Sequence, residues 1–264
     1  MKKDNIFPDN LEEYEDADLY DMENTHTKEL EFLLDYASET GGTIIDLACG
    51  TGRLAIPLAK NGYRLIGVDI SEEMLEQAKQ KSEGLEIDWV LQDITKMDIL
   101  EQSELIFMAG NSFQHFLTNE SQDMLLNAVH RHLTHKGRFV FNTRFPAADE
   151  LLQPAGEEYW RSYMYGGKKI DVYTISQYDP LSQIQDYTTI RKFHTDSGSQ
   201  SEIRTHIALR YVFPKEMERV LESKNFHIEA VFGDWDKSLI HDKSQEMIYV
   251  VRKNHKMPPP LLEQ

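Results

Sequence analysis

Between residues 43 and 145, short apolar runs alternate with stretches in which apolar side chains recur every three or four positions. Each run has the length of a buried strand, and each intervening stretch has the spacing of a helix that buries one stripe. This alternation is typical of a parallel sheet with helices on both faces. The pattern predicts strands at residues 43–47, 63–68, 86–91, 104–109 and 137–144.

After Pro146 the period of the pattern changes to two. Residues 157–213 contain alternating stretches separated by turn residues, which predicts an antiparallel meander. Pro214 then begins a predicted helix, because proline is tolerated at the first helical position. Two further strands are predicted at 226–232 and 247–252. The predicted fold class is therefore α/β, with a doubly wound seven-stranded mixed sheet and an inserted antiparallel β meander.

The pattern divides the chain into four parts. The predicted parts are an N-terminal lid or helical arm at 1–40, the α/β core at 41–146 and 214–254, the inserted β subdomain at 147–213, and a disordered tail at 255–264. The arm concentrates acidic residues around aromatic side chains. This composition fits either a solvated, partly helical arm or a mobile lid that closes over a ligand.

Composition and charge restrict the partners. The chain has 264 residues and 40% apolar content, which is enough for a substantial core. Its net charge of −17 disfavours nucleic acids and anionic lipid surfaces, so we expect a small-molecule substrate. The single cysteine, Cys49, excludes an internal disulfide and a cysteine-based metal site. The sequence lacks an apolar run long enough for a bilayer and an export signal, so we expect a cytoplasmic protein without a membrane partner.

A glycine-containing turn, CGTG at residues 49–52, joins the first predicted strand to the first helix. The stretch GTGRLA matches the loose dinucleotide pattern G-x-G-x-x-[GA], with Asp69 placed to bind a ribose hydroxyl. Asp46 argues against a dinucleotide, because a carboxylate at the end of the strand would repel a pyrophosphate and attract an ammonium group. A ligand that combines an amino acid with an adenosine, such as S-adenosylmethionine, fits both features.

Five motifs in order carry a resemblance to a known family: DLACGTG, VDISEEMLEQAK, LQDITKMD, LIFMAGNSFQHF and LTHKGRFVFNTRFP. The series resembles the class I S-adenosylmethionine-dependent methyltransferases, specifically the small-molecule branch, whose members begin with a lid segment similar to LYDMENTHTKELEFLLDYA. The resemblance covers residues 14–145 well and the last helix and two strands more loosely. It implies a Rossmann-like fold, S-adenosylmethionine as cofactor and methyl transfer as the activity.

The resemblance also implies roles for individual residues. The first turn would hold the methionine portion of the cofactor, Asp69 would accept both ribose hydroxyls, and Asp93 would accept from the adenine amino group. Ala48 departs from the family, which prefers glycine there, and alanine is tolerated if its φ is negative. The implied cofactor-binding residues are Tyr20, Asp46, Ala48, Gly50, Gly52, Asp69, Ile70, Met74, Asp93, Ile94, Ala109 and Gly110.

The sequence does not assign a fixed catalytic residue. Methyl transfer is an in-line displacement that needs alignment and exclusion of water, and it forms no covalent intermediate with the protein. His115, just past the fourth predicted strand, is a candidate base for an amine or hydroxyl nucleophile, although a helix-surface or capping role fits it as well. The candidates for lining the substrate pocket are Tyr14, Asn111, His115, Arg144 and Trp235.

No metal site is predicted, because His130 and His132 would point about 200° apart on a helix and could not share an ion. The predicted activity is N- or O-methylation of a small molecule, with residues 147–213 enclosing the substrate or forming the contact of a homodimer. Two alternatives stay open: an NAD(P)-binding Rossmann oxidoreductase, and a cofactor-binding partner protein without activity.

Overall fold

The computed structural model describes residues 10–194 and 200–254. The predicted tail at 255–264 lies outside these residues, as do the first nine residues of the arm. The chain forms a seven-stranded sheet and a separate four-stranded antiparallel sheet. Within the described ranges, no helix has both the length and the apolar character needed to cross a membrane.

The strands and helices follow the chain in an order that matches the predicted architecture. The strands are β1 (Ile44–Leu47), β2 (Leu65–Asp69), β3 (Ile87–Leu91), β4 (Ser103–Met108), β5 (Leu133–Arg144), β6 (Glu158–Tyr165), β7 (Lys168–Asp179), β8 (Ile184–His194), β9 (Gln200–Arg210), β10 (Phe226–Phe232) and β11 (Glu246–Lys253). The helices are α1 (Ala17–Glu23), α2 (Leu30–Ala37), α3 (Ala55–Lys60), α4 (Glu72–Lys81), α5 (Asn119–His132), α6 (Ala148–Leu151) and α7 (Pro214–Ser223).

The seven-stranded sheet has the order β10-β11-β5-β4-β1-β2-β3. Strands β5, β4, β1, β2 and β3 are parallel, whereas β11 is antiparallel to both of its neighbours. Side chains of β1 and β2 are buried throughout, since helices cover both faces of the sheet. The prediction of a doubly wound mixed sheet is confirmed.

Two apolar clusters, one on each face, stabilise this sheet. One contains Ile45, Ile106 and Phe139 together with apolar side chains of α5 and α7. The other contains Ile44 and Phe107 together with side chains of α2 and α3. Neighbouring residues of one strand thus enter opposite clusters, as the alternation of side chains along a strand requires.

Local sequence explains where several elements begin. The Ser71 hydroxyl caps α4 by accepting from the backbone N–H of Met74. Pro57 lies in the first turn of α3, where its missing N–H costs no intrahelical bond. Strand β5 begins four residues earlier than predicted, at Leu133. Its pairing with β4 is irregular there: Leu133 pairs with Ser103, and the next pair, after a shift in register, joins Arg138 to Leu105. Gly137 permits this shift, because a Cβ there would lie 2.9 Å from the Ser103 carbonyl oxygen.

The four-stranded sheet has the order β6-β7-β8-β9 and is antiparallel throughout, which confirms the predicted meander. The first described residues of the arm run along its β9 edge. Asn10 forms two hydrogen bonds with the backbone of Ala208, at 2.7 and 2.8 Å, and Glu12 accepts from the backbone N–H of His206. The arm therefore contacts the inserted sheet as well as the core.

Candidate active site

A cavity of about 530 Å³ lies at the carboxyl ends of the parallel strands. Asp46 of β1, Asp69 of β2, Ala109 after β4 and Arg144 of β5 line its floor. The N-terminal arm and one face of the four-stranded sheet form its other walls. Open α/β sheets bind their ligands at this edge.

The turn after β1 contains three residues with left-handed backbone conformation. Their φ angles are 54° at Ala48, 52° at Gly50 and 80° at Gly52. Glycine adopts this conformation without strain, whereas an L-residue with a Cβ pays about 1–2 kcal/mol. The condition under which alanine is tolerated at position 48, a negative φ, is therefore not met.

We expect Ala48→Gly to raise the free energy of unfolding by about 1 kcal/mol, because relief of the left-handed strain exceeds the added chain entropy of glycine. Urea denaturation of the two proteins measures the difference. Ala55→Gly is the matched control, since Ala55 begins α3 and has no positive φ. This control should lose about 0.5–1 kcal/mol. Equal destabilisation by both variants would show that Ala48 is unstrained.

Gly50 and Gly52 differ in what they contact. Gly50 lines the cavity, and a Cβ there would lie 3.8 Å from the Tyr20 ring. Gly52 is not among the lining residues, and its Cβ would lie 2.7 Å from the Trp89 ring and 3.0 Å from Ile56. The expectation that Gly52 contacts the cofactor is therefore corrected: glycine is required there because the Trp89 ring packs under the turn.

Asp69 connects the ends of β1 and β2. One carboxylate oxygen accepts from the Gly50 backbone N–H at 2.7 Å, and the other accepts from that of Ser71 at 2.9 Å. Burial raises the pKa of Asp69, and these backbone bonds oppose the shift. A carboxylate has about four lone-pair sites, so Asp69 keeps acceptor capacity for a ribose hydroxyl.

Asp46 is buried in β1 and faces the cavity. Burial raises the pKa of its carboxyl well above the ordinary value, and the Arg53 guanidinium opposes this shift. Among the described residues, Asp46 has no ion-pair partner within 4.0 Å. A buried acid without a cationic partner fits an ammonium group that a ligand brings.

Arg53 is a cavity residue that the sequence analysis missed. Its guanidinium donates to both carboxylate oxygens of Glu29, at 2.7 and 2.8 Å, and to the backbone carbonyl of His26. These bonds fasten the turn after β1 to the start of α2. Its position directly after CGTG is the feature of the sequence that could have indicated a place in the cavity.

The residues expected to contact adenine lie together on one side of the cavity. Ile70 is exposed at the cavity wall, Met74 is buried beside it, and Ile94 follows β3. Asp93 also lines the cavity, and one of its oxygens accepts from the backbone N–H and hydroxyl of Thr95, at 2.9 and 2.6 Å. An apolar wall beside a carboxylate fits a planar base with an amino group.

Tyr14 and Tyr20 of the arm face each other edge to face over the cavity, and Tyr14 also contacts His115. The Tyr14 oxygen lies 2.9 Å from His115 Nε2, and Asn10 Nδ2 lies 3.4 Å from His115 Nδ1. The amide of Asn10 is oriented by its two bonds to Ala208, so Nδ1 accepts and Nε2 carries the proton. His115 therefore donates to the Tyr14 oxygen.

Burial lowers the pKa of His115 to about 4. The ring is thus neutral near pH 7, with both of its nitrogen atoms engaged by the arm. This geometry disfavours the base role predicted for His115. It favours a role in orienting the hydroxyl of Tyr14, whose own pKa burial raises.

The low pKa of His115 makes stability depend on pH. Between pH 6.5 and about 4 the unfolded chain binds a proton that the folded chain does not, so stability falls as the pH falls. In His115→Gln this titrating group is absent. We therefore expect the free energy of unfolding to fall by about 1–2 kcal/mol less in the variant than in the wild type when the pH is lowered from 7 to 5. Denaturant titrations at both pH values, with the exposed His227→Gln as control, measure this difference. Parallel pH profiles for all three proteins would contradict it.

Arg144 and Glu150 lie side by side in the cavity. Arg144 Nη1 donates to Glu150 at 3.1 Å, and the hydroxyls of Tyr187 and Tyr211 donate to the same carboxylate oxygen at 3.0 and 2.8 Å. Within the described residues, Nε and Nη2 of Arg144 form no hydrogen bond. The pair therefore leaves donors on Arg144 available to a ligand.

The four-stranded sheet contributes cavity residues that sequence reasoning missed. Arg191 is buried and donates to Glu23 at 2.8 and 2.9 Å and to Glu13 at 2.7 Å, so it connects the sheet to the arm. Burial raises the pKa of Glu23, but bonds from Arg191 and Tyr163 outweigh it and hold the pKa below the ordinary value. The other lining residues of the sheet are Glu158, Trp160, Arg161, Thr174, Ser176, Tyr187, Thr189, Ile207 and Leu209.

Trp235 is not among the residues that line the cavity, which corrects its predicted place in the substrate pocket. Its ring packs edge to face against Phe32, and its Nε1 donates to Glu246 at 3.1 Å. Trp235 lies in a polar segment of the sequence, and the local pattern does not show that helix α2 packs over its ring. Ala109, Gly110 and Asn111 line the cavity after β4.

The residues present fit S-adenosylmethionine. Asp46 is placed for its ammonium group, Asp69 for its ribose and the apolar side of the cavity for its adenine, and Gly50 leaves the turn open for close approach. Among the described residues, no group of three or more histidine, cysteine or acidic side chains is arranged to hold a metal ion.

Comparisons with known proteins bear on the fold and the cofactor. A family model described as a methyltransferase domain matches residues 44–137. YqeM of Bacillus subtilis (strain 168), described as a methyltransferase, is 26% identical over 81% of this chain and 85% of its own length. A glycine/sarcosine N-methyltransferase of Halorhodospira halochloris is 24% identical over 93% of this chain and 90% of its own. The structure of an S-adenosylmethionine-dependent methyltransferase from Clostridium acetobutylicum ATCC 824 has the same fold, with a TM-score of 0.75 and 21% identity over 90% of this chain and 97% of that one.

Proposed function

Because this chain belongs to the class I S-adenosylmethionine-dependent methyltransferases, we propose that it methylates a nitrogen or oxygen atom of a small polar molecule. Its cofactor is S-adenosylmethionine, so the NAD(P)-binding alternative is set aside. The single observation that supports the proposal is the continuity of the cavity. One space of about 530 Å³ joins the acidic floor at Asp46 and Asp69 to the wall formed by Arg144, Tyr187 and Arg191.

When bound, the cofactor supplies an electrophilic methyl group on a sulfonium. The residues of this chain would bind and align the reactants. Asp46, Asp69 and Asp93 would hold the cofactor, and the arm and the inserted sheet, which form the other walls of the cavity, would exclude water. No residue needs to form a covalent bond with the substrate.

The substrate would lie between β5 and the inserted sheet. Trp160, Ile207 and Leu209 offer apolar contact there, and Arg144 offers unpaired guanidinium donors. Tyr14, oriented by His115, also lines this space. This mixture fits a small molecule with hydroxyl, carboxylate or amine groups. The name of the Halorhodospira relative, an N-methyltransferase, supports nitrogen as the acceptor atom.

Calorimetric titration with S-adenosylmethionine and with NAD(P), followed by a product assay over amines, phenols and amino sugars, tests the proposal. We expect binding of S-adenosylmethionine and mass-spectrometric detection of one methylated product with S-adenosylhomocysteine. Binding of NAD(P) alone would refute it. Cofactor binding with no product across the panel would favour the cofactor-binding partner protein without activity.

Arg144→Gln should raise the KM for the methyl acceptor roughly tenfold, because charge-assisted bonds to the substrate are lost, while the Kd for S-adenosylmethionine changes less than about threefold. Steady-state kinetics and calorimetry measure the two constants. Arg64→Gln is the control, since Arg64 is half exposed and lies outside the cavity. A KM that is unchanged in Arg144→Gln would place the substrate elsewhere.

A further inference from the structure

Asn142 of β5 is buried beside the turn that follows β4. Its Oδ1 accepts from the backbone N–H of Asn111 at 3.0 Å, and its Nδ2 donates to Asn111 Oδ1 at 2.9 Å. Asn111 has a left-handed backbone, with φ of 60°. The two bonds hold this residue, which lines the cavity, against the neighbouring strand.

Glu246 determines which way the Asn142 amide points. Asn142 Nδ2 also donates to Glu246 Oε2 at 2.7 Å, and Trp235 Nε1 donates to the same oxygen at 3.1 Å. Since a carboxylate accepts and does not donate, the NH₂ group of Asn142 must face it. In the reversed orientation, Oδ1 would face the carboxylate and Nδ2 would face the N–H of Asn111, and both contacts would be repulsive.

This orientation is transmitted to Asn111. Because Asn111 Oδ1 accepts from Asn142, its Nδ2 is the part of the side chain that remains for a ligand in the cavity. The same backbone turn carries Gly110 and leads into the short 3-10 turn Ser112–His115. Glu246 and Trp235 do not line the cavity, so any effect they have on a ligand passes through Asn142.

We propose that Glu246, Trp235 and Asn142 are positioning residues that turn the donor side of Asn111 toward the methyl acceptor. This inference rests on the proposed function, because it concerns the same cavity. It also gives Trp235 a role outside the cavity: its Nε1 is one of the donors that hold the Glu246 carboxylate in place. The Lys28 ammonium contacts the other oxygen of Glu246 and connects it to the arm.

Glu246→Leu and the isosteric Asn142→Asp both remove the oriented bond between these residues. Glu246→Gln is the conservative variant, since its amide oxygen still accepts from Asn142 and Trp235. Glu229→Leu is the matched control, because Glu229 is a paired carboxylate of β10 that binds Arg138 and Arg252 outside the cavity.

We expect Glu246→Leu and Asn142→Asp to lower kcat/KM for the methyl acceptor about tenfold or more, as displacement of a binding group does, with the Kd for S-adenosylmethionine changed less than about threefold. Glu246→Gln should stay within about threefold of the wild type, and Glu229→Leu should change stability without changing kcat/KM. Wild-type kinetics in both Glu246→Leu and Asn142→Asp would overturn the proposal.

Hydrogen exchange of the ligand-free proteins provides a readout that needs no turnover. The segment 109–115 should exchange roughly tenfold faster in Glu246→Leu than in Glu229→Leu, because the Asn111 N–H loses its oriented acceptor. Equal exchange in these two variants would overturn the inference even if the enzyme is active. If the wild-type protein methylates no acceptor, the proposed function is refuted. The hydrogen-exchange result then tests separately whether Glu246 and Asn142 position Asn111.

Discussion

Asp69→Ala is expected to weaken binding of S-adenosylmethionine by about 1–3 kcal/mol, which is roughly 5- to 150-fold in Kd. The substitution removes the acceptor for the ribose hydroxyls. It also leaves the Gly50 and Ser71 backbone N–H groups without their present partner, so the turn after β1 keeps its backbone bond from Cys49 to Val68 but loses its bond to the Asp69 side chain. The effect should therefore lie in the upper part of this range.

Calorimetric titration of the variant measures the change. Glu72→Ala is the matched control, since it removes the same charge from an exposed position at the start of α4. The control should bind S-adenosylmethionine with a Kd within about twofold of the wild type. An unchanged Kd in Asp69→Ala would remove this residue from the cofactor site, whatever its effect on stability.

Arg191→Met should lower the free energy of unfolding by about 3 kcal/mol, because it leaves the half-buried carboxylates of Glu13 and Glu23 without their main cationic partner. The arm would also lose its strongest attachment to the four-stranded sheet. We therefore expect faster proteolytic cleavage within residues 10–23 at temperatures where the core remains folded, together with a higher KM for the methyl acceptor.

Two further variants make this result specific. Arg204→Met removes an exposed arginine of β9 that pairs with Glu202, and it should change stability by less than about 0.5 kcal/mol. Arg191→Lys keeps the charge but loses the two-pronged contact with Glu23, so it should lie between the wild type and Arg191→Met. Slow, wild-type cleavage of the arm in Arg191→Met would contradict a role in fastening it.

The sequence predicts the parts of the site that depend on chain direction. Asp46 and Asp69 lie near the ends of consecutive parallel strands, and the hydrophobic pattern is sufficient to place both at one edge of the sheet. The backbone angle of Ala48 is different in kind. It depends on how the turn packs against the rest of the core. The sequence therefore shows that alanine at position 48 requires a negative φ, but it does not show the sign of φ.

Contacts between distant segments could not be predicted. His115 of the core meets Tyr14 across 101 positions, and Arg191 of the inserted sheet meets Glu23 across 168, because the fold brings the arm against both parts of the chain. The prediction that Trp235 lines the substrate pocket was wrong for the same reason, since the side chain that packs against it, Phe32, lies far away in the sequence. Local patterns report burial of one segment against an unspecified neighbour, and they do not identify that neighbour.

The bonds of Asn10 and Glu12 to β9 also bear on self-association. A strand at the edge of a sheet presents free N–H and C=O groups that can pair with another chain and begin aggregation. The arm occupies such groups at His206 and Ala208, so this border of the four-stranded sheet is protected from intermolecular pairing. Release of the arm would thus leave the N–H and C=O groups of this strand edge unpaired and would also remove one wall of the cavity.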